Sequence, residues 1–290
     1  MALYPEEIRA GQAGLHQRLR IRSGVAISVL VFIMALFGAS SPKADADDSG
    51  KHAPIDDFDM YYEIHGSGEP LLLLHGFFGC GQVWQPFIET LAEGYQLIIP
   101  DLRGHGRSTN PSGAFTHRQA AQDVFELLDQ LEIEAVSSIG ISTGGMTLLH
   151  MAVNQPERIQ ALIPVGATIW FPQPARERMR DFAVGNLPPM LVECADRGDA
   201  QLDQLASQFR SMRHSYEDMN LTPPQLATIE ARTMIVHGEE DVFFPLEIPL
   251  EMHRNISDAS IWIIPEGNHV PIYDPLVPFA EVVLRFLDSP

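Results

Sequence analysis

The chain has 290 residues, 45% hydrophobic and 20% charged, which is ordinary globular composition and rules out a disordered chain. That length suits one sizeable core with an inserted subdomain rather than a string of modules. The balance of 19 Lys and Arg against 38 Asp and Glu gives a net charge of −19, which argues against a nucleic-acid partner because phosphate recognition needs a basic face.

At the N-terminus Arg9, Arg18, Arg20 and Arg22 outnumber Glu6 and Glu7, and Gly24 to Ala39 then reads GVAISVLVFIMALFGA. A basic flank before an apolar run predicts a secretory signal, cleaved near residues 38–41 or 44–46. The apolar core, about 15 residues, is shorter than the roughly 20 of a spanning helix. The uncharged stretch is longer, from Ser23 to Pro42, so an uncleaved membrane anchor through residues 24–39 stands as the alternative. Residues 1–46 are therefore assigned to signal or anchor plus linker, with the polar stretch 43–57 read as linker. The protein is expected to be exported, to periplasm or medium, or membrane-attached. Without residues 1–39 the body carries 15 basic and 36 acidic side chains, a net of −21, which keeps it soluble and repels anionic surfaces. Cys80 and Cys194 are too few for a disulfide framework or a cysteine zinc cage. In an oxidising compartment they could pair, but two separate buried thiols is the preferred reading.

Phe58 to His65 (FDMYYEIH) is aromatic-rich, partly alternating and followed by Gly66-Ser67-Gly68, the pattern of an antiparallel edge strand and a turn. Leu71 to Leu74 is a continuous apolar run, as expected of a strand covered on both faces. Residues 96–100, 135–141, 161–165, 233–237 and 261–265 read the same way. Between strands, Thr116 and Gln119 predict a capping box at the head of a helix whose stripe is Ala120, Val124, Leu127, Leu128 and Leu131. Residues 169–230 break the rhythm with Pro172, Pro174, Pro188, Pro189, Pro223 and Pro224, and read as a helical insertion. Near the end, Asp274 is expected to cap a helix with Pro275 in its first turn and Val277, Val282, Val283 and Phe286 facing the core. The alternation predicts an α/β fold: a mostly parallel sheet with helices on both faces, formed by 47–168 and 231–290, carrying a helical cap at 169–230.

The strand at 135–141 runs into Gly140-Ile141-Ser142-Thr143-Gly144-Gly145 and then a helical pattern, so G-x-S-x-G stands at a strand-to-helix junction. Such a turn lifts a serine hydroxyl above the sheet, and its tightness explains the glycines. The next helix points its positive end at the reaction centre. Two later segments offer partners in the order serine, acid, histidine: Asp241 after the strand at 233–237 and His269 after the strand at 261–265. Glu239 and Glu240 are rivals for the acid. An oxyanion needs two backbone N–H groups. Thr143 offers one, and the loop His75-Gly76-Phe77-Phe78-Gly79 the other, with Phe77 preferred.

Together LLLLHGFFG (71–79), DLRGHGRS (101–108), GISTGG (140–145), HGEEDVFFP (237–245) and EGNHVP (266–271) resemble the α/β-hydrolase superfamily over about residues 58–288. The resemblance implies a core under a helical cap, Ser142, Asp241 and His269 as triad, Phe77 and Thr143 as oxyanion donors, and a structural turn at Asp101, Arg103 and His105. Serine at the elbow sets aside relatives that use aspartate there, such as epoxide hydrolases and haloalkane dehalogenases. Phe78, Met146, Trp170, Phe171 and Phe243 are expected pocket walls for a small apolar acyl substrate, and no metal or organic cofactor is implied. The expectation is a serine hydrolase of small or medium carboxylic esters. The alternatives are a lactonase, carbon–carbon bond hydrolase or perhydrolase-like enzyme on the same triad, or a slow-turnover ligand sensor.

Overall fold

A computed structural model describes residues 50–289. The signal, anchor and cleavage readings at residues 1–46 lie outside the described residues. Among the described residues, no helix is long and apolar enough to cross a membrane.

Eight strands form one sheet: β1 Lys51–Ile55, β2 Phe58–His65, β3 Glu69–Leu74, β4 Tyr95–Pro100, β5 Val136–Ile141, β6 Ile159–Val165, β7 Arg232–Gly238 and β8 Ala259–Ile264. Their order is β1-β2-β4-β3-β5-β6-β7-β8, antiparallel from β1 to β4 and parallel from there on. Among the described helices are α1 Gln85–Leu91, α2 His117–Gln130, α3 Thr143–Asn154, α4 Gln173–Arg180, α5 Pro189–Glu193, α6 Asp199–Met212, α7 Pro223–Leu226, α8 Glu247–Asn255 and α9 Phe279–Leu287.

The continuous leucine run in β3 has a simple cause. Leu71 and Leu73 enter one core with residues of α1 and α9, while Leu72 and Leu74 enter the other with residues of α2, α3 and α8. Successive side chains of a strand point to opposite faces, so a strand roofed twice needs apolar residues at every position.

Helices α4 to α7 fill the stretch between β6 and β7. Gln201 on α6 donates to the carbonyls of Gly104 and Gly106 at 2.8 and 2.9 Å, and Gln208 to Gly113 at 2.8 Å. Just before α6, Arg197 donates to the Ser108 carbonyl at 2.9 Å. This stretch is thus fastened to the loop 104–113 by hydrogen bonds to backbone oxygens.

Several expectations need correction. Cys80 and Cys194 are not separate thiols: they form a disulfide with Cα atoms 5.5 Å apart, across 114 residues of sequence. Cys80 follows the loop after β3 and Cys194 ends α5, so only the fold of the inserted stretch brings them together. Residues 51–55 are no linker but strand β1, which pairs with β2 and takes the sheet edge, leaving β2 paired on both sides. Asp274 caps no helix. Its carboxylate accepts the Leu276 N–H at 2.9 Å in a turn, and α9 starts at Phe279, burying Phe279, Val283 and Leu287. At α2, Thr116 accepts the Gln119 N–H at 3.1 Å as expected, but the Gln119 amide donates to Asp123 at 3.0 Å instead of closing the box. Asp123 takes it because it also forms a two-pronged ion pair with Arg103, at 2.7 and 2.8 Å.

Candidate active site

Ser142 stands between the end of β5 and the first residue of α3, with φ +49° and ψ −111°. A side chain rarely adopts this region, and its cost is borne by surrounding bonds. The Ser142 N–H donates to the Val165 carbonyl at 2.7 Å, and its carbonyl accepts the Met146 N–H at 2.9 Å. The turn also needs its glycines. A Cβ on Gly140 would lie 2.5 Å from backbone atoms of Gly144 and Gly145, and one on Gly144 would run into the Leu74 carbonyl.

The loops after β7 and β8 bring two side chains to this turn. His269 Nε2 lies 3.0 Å from Ser142 Oγ, and its Nδ1 lies 2.8 Å from Asp241 Oδ2. Asp241 Oδ1 accepts the N–H groups of Phe243 and Phe244 at 2.7 and 3.1 Å. The Asp241 side chain is 1% exposed and His269 19%. Burial alone pushes the Asp241 carboxyl up. The hydrogen bond and charge of His269, with the Phe243 N–H, outweigh it and hold the group below the usual carboxylate range. An ionised Asp241 fixes the proton of His269 on Nδ1 and leaves Nε2 as an acceptor toward Ser142. The rival acids stand apart: Glu239 and Glu240 are exposed, and Glu239 accepts the Glu266 N–H at 3.1 Å.

Across the turn, the loop after β3 is locked by His75. Its Nδ1–H donates to the Gly76 carbonyl at 2.8 Å and its Nε2 accepts the Leu102 N–H at 2.9 Å. Burial lowers the His75 pKa against the opposing charge of Asp101, which suits this neutral, donor-and-acceptor form. The Gly79 N–H turns back to Gly76 at 3.0 Å, with Phe78 at φ +67°. Among the described residues the Phe77 N–H meets no protein acceptor. Thr143, as the first residue of α3, has no intrahelical acceptor for its N–H either.

The proposed wall residues divide. Phe78 is buried against Phe182 at 4.7 Å and Phe209 at 5.4 Å between ring centres, so the inserted helices roof this loop. Met146 and Phe171 are buried in the same core. Phe243 lies on the His269 ring at 4.7 Å between ring centres, and the Arg178 guanidinium of α4 stands 5.5 Å from the centre of the Phe243 ring. Trp170 is 38% exposed and its indole N–H points to Glu251 at 3.5 Å, so it is a surface residue rather than a buried wall. Asp101 is structural, accepting the N–H groups of Gly81 and Arg107 at 2.7 and 2.9 Å. A groove of about 360 Å³ opens elsewhere, lined by Arg118, His150, Asp218 and Gln225 among others, and does not include Ser142.

The sequence reading ranked one feature second and gave another no role. One is the disulfide. The other is His237, at the end of β7, whose Nε2 lies 2.8 Å from the Phe244 carbonyl and 3.7 Å from Asp241 Oδ2. Its place four residues before Asp241 was the available signal. Among the described residues no group of three or more His, Cys, Asp and Glu side chains could hold a metal ion.

A family model described as the alpha/beta hydrolase fold matches residues 69–211. A RutD protein of Azorhizobium caulinodans, named for carbamate hydrolysis, is 39% identical over 106 residues, 37% of this chain and 40% of that one. The 2-hydroxy-6-oxononadienedioate/2-hydroxy-6-oxononatrienedioate hydrolase of Escherichia coli is 26% identical over 284 residues, 87% of this chain and 97% of that one. The crystal structure of a hydrolase from Pseudomonas aeruginosa PA01 is similar with a TM-score of 0.69 at 25% identity, over 84% of this chain and 100% of that one.

Proposed function

We propose that this chain, which belongs to the α/β-hydrolase superfamily, is a serine hydrolase that cleaves a small or medium carboxylic ester through an acyl-enzyme on Ser142. The observation that carries this reading is the unbroken hydrogen-bonded chain Ser142–His269–Asp241, at 3.0 and 2.8 Å. In it, Ser142 Oγ attacks the acyl carbon while His269 Nε2 takes its proton. Asp241 steadies the resulting imidazolium without itself becoming protonated. The carbonyl oxygen becomes an oxyanion, for which the N–H groups of Phe77 and Thr143 are the donors. His269 then returns the proton to the departing alcohol. A water molecule, deprotonated by the same nitrogen, attacks the acyl-enzyme and releases the acid and a free Ser142.

A second reading has its own support. The similarity to a hydrolase named for a 2-hydroxy-6-oxo dienedioate favours cleavage of a carbon–carbon bond beside a ketone, which the same serine and histidine can serve. The disulfide supports one more part of the proposal, work in an oxidising compartment after export through residues 1–46.

The test pairs chemistry with identity. A fluorophosphonate should label Ser142 and no other residue, and p-nitrophenyl esters of increasing acyl length should turn over many times per site. Labelling with a single slow burst of p-nitrophenol would instead indicate a sensor. Labelling with fast turnover of a 2-hydroxy-6-oxo dienoate and none of any ester would move the assignment to carbon–carbon cleavage. Absence of labelling would refute the nucleophile.

A further inference from the structure

We infer that His237 is a positioning residue that pins the Asp241 turn and so sets the carboxylate for His269; this rests on the triad reading above. His237 stands next to last in β7, with its side chain 1% exposed. The chain leaves the sheet after Gly238, and beyond Asp241 residues 242–244 have few fixed points. The Phe243 and Phe244 N–H groups both go to Asp241 Oδ1, at 2.7 and 3.1 Å. The Val242 carbonyl takes the Arg178 guanidinium at 2.9 Å. The Phe244 carbonyl takes His237 Nε2–H at 2.8 Å. Of these bonds, the last is the one that ties the far end of the turn to the sheet.

The geometry gives the carboxylate two separate jobs. Oδ1 is held by the turn and Oδ2 is left for His269. If the turn slides, Oδ1 slides with its donors, and Oδ2 loses its aim at Nδ1. His237 prevents this sliding from outside the triad. With its hydrogen committed to Phe244, its Nδ1 carries a bare lone pair, which is buried and has no partner. The ring is therefore neutral, consistent with burial lowering its pKa. Neutrality matters at 3.7 Å from Asp241 Oδ2. A cation at that distance would compete with His269 for the same oxygen, whereas a neutral N–H dipole turned to Phe244 does not.

The test compares His237→Phe, which keeps a flat ring and removes the donor, with His237→Gln, whose amide returns an N–H near the place of Nε2. An ångström-scale displacement of an aligned group costs on the order of 10² in rate. For His237→Phe we expect a kcat loss of about that size with KM within about threefold of wild type, and recovery in His237→Gln to within about fivefold. The hydrogen-bonded Nδ1 proton of His269 gives a separate readout. Its low-field proton resonance, assigned through its absence in His269→Gln, should move upfield in His237→Phe and return in His237→Gln. A folded His237→Phe with wild-type kcat and an unmoved resonance would overturn the inference, as would equal losses in Phe and Gln variants. If His237→Phe does not fold, His237→Asn, whose amide is one bond shorter, takes its place, and equal behaviour of Asn and Gln again overturns it. A wild-type protein without hydrolase activity would refute the triad reading, while the proton resonance still decides for or against His237.

Discussion

His269 and Asp241 approach to 2.8 Å, and His117 and Asp218 approach to 2.6 Å. Each pair joins an imidazole Nδ1 to a buried carboxylate, and in each the histidine and acid come from distant parts of the chain. They differ at the other nitrogen. His269 Nε2 faces Ser142 Oγ, and its side chain is partly open to solvent. His117 Nε2 is buried with no partner, and its ring packs beside Phe115 and Phe171. Asp218 also accepts the backbone N–H groups of His117 and Arg118, at 2.9 and 3.1 Å, so it caps the head of α2 from the inserted stretch. Burial raises that carboxyl, but the His117 hydrogen bond and charge with the two N–H groups win and bring it to about 2. The lesson is that a histidine–aspartate pair identifies no chemistry by itself. What the second nitrogen meets decides whether the pair moves a proton or fastens two elements.

The sharpest way to break this contrast is to remove the nucleophile. Ser142→Ala should lower ester turnover on the order of 10⁶-fold with an unchanged melting temperature, measured on protein free of wild-type carry-over. A residual rate above a tenth of wild type would sink the assignment. Next comes the acid. Asp241→Asn leaves His269 without its anchor and should cost roughly 10⁴-fold in kcat. Glu239→Gln and Glu240→Gln should stay within a few-fold in the same assay, because both side chains are exposed.

The fastening pair should respond in the opposite currency. Asp218→Asn removes the ionised acceptor of a buried histidine and should cost about 2 kcal/mol in urea unfolding. Its kcat per folded molecule should stay within a few-fold of wild type. A hundredfold fall in kcat with unchanged stability would erase the distinction between the two pairs.

Acid should weaken the fastening side in two steps, the smallest expected effect. His150, which lies 2.7 Å from the Asp218 carbonyl, has its pKa lowered by burial from 6.5 to about 4. The unfolded chain takes up that proton first, so stability present above pH 6.5 is lost as pH falls toward 4. Asp218, lowered from 3.8 to about 2, contributes stability above pH 3.8 that is lost as pH falls toward 2. Melting temperatures should fall across the upper window, and His150→Gln should reduce that fall without abolishing it, because burial also lowers the pKa of His75, His105 and His237. An upper fall of unchanged size in the variant would assign it to those other histidines alone.

How much was legible in the sequence depends on whether a feature is local. Buried strands announce themselves through runs such as Leu71–Leu74, and the turn at Ser142 through glycines that no side chain could replace. Asp241 and His269 were found because each follows such a strand within a few residues, and the structure brings both to Ser142. Features set by how the inserted helices fold back were not legible. Asp218 lies 101 residues from His117, and Cys194 lies 114 from Cys80. No local pattern in either segment points to its partner, and the bare count of two cysteines raised their pairing only as the second choice. The misplaced helix start at Asp274 has another cause: aspartate before proline suits a turn as well as a cap, and here the turn won.

The Cys80–Cys194 bond makes the chain a covalent ring with two tails. Ser142 and Thr143 lie within the ring, and Phe77 lies just ahead of it on the N-terminal tail. Asp241 and His269 lie on the C-terminal tail. A protease cut anywhere between residues 81 and 193 would therefore leave one molecule under non-reducing conditions, with Ser142 still tethered to His269 by backbone if the cut precedes it and through the disulfide if the cut follows it. After reduction the same cut leaves two separate chains, and the N-terminal one carries Ser142 only if the cut falls beyond it. The bond thus lets the inserted stretch be nicked ahead of Cys194 without dividing the protein, while a cut in α6 or α7 would divide it.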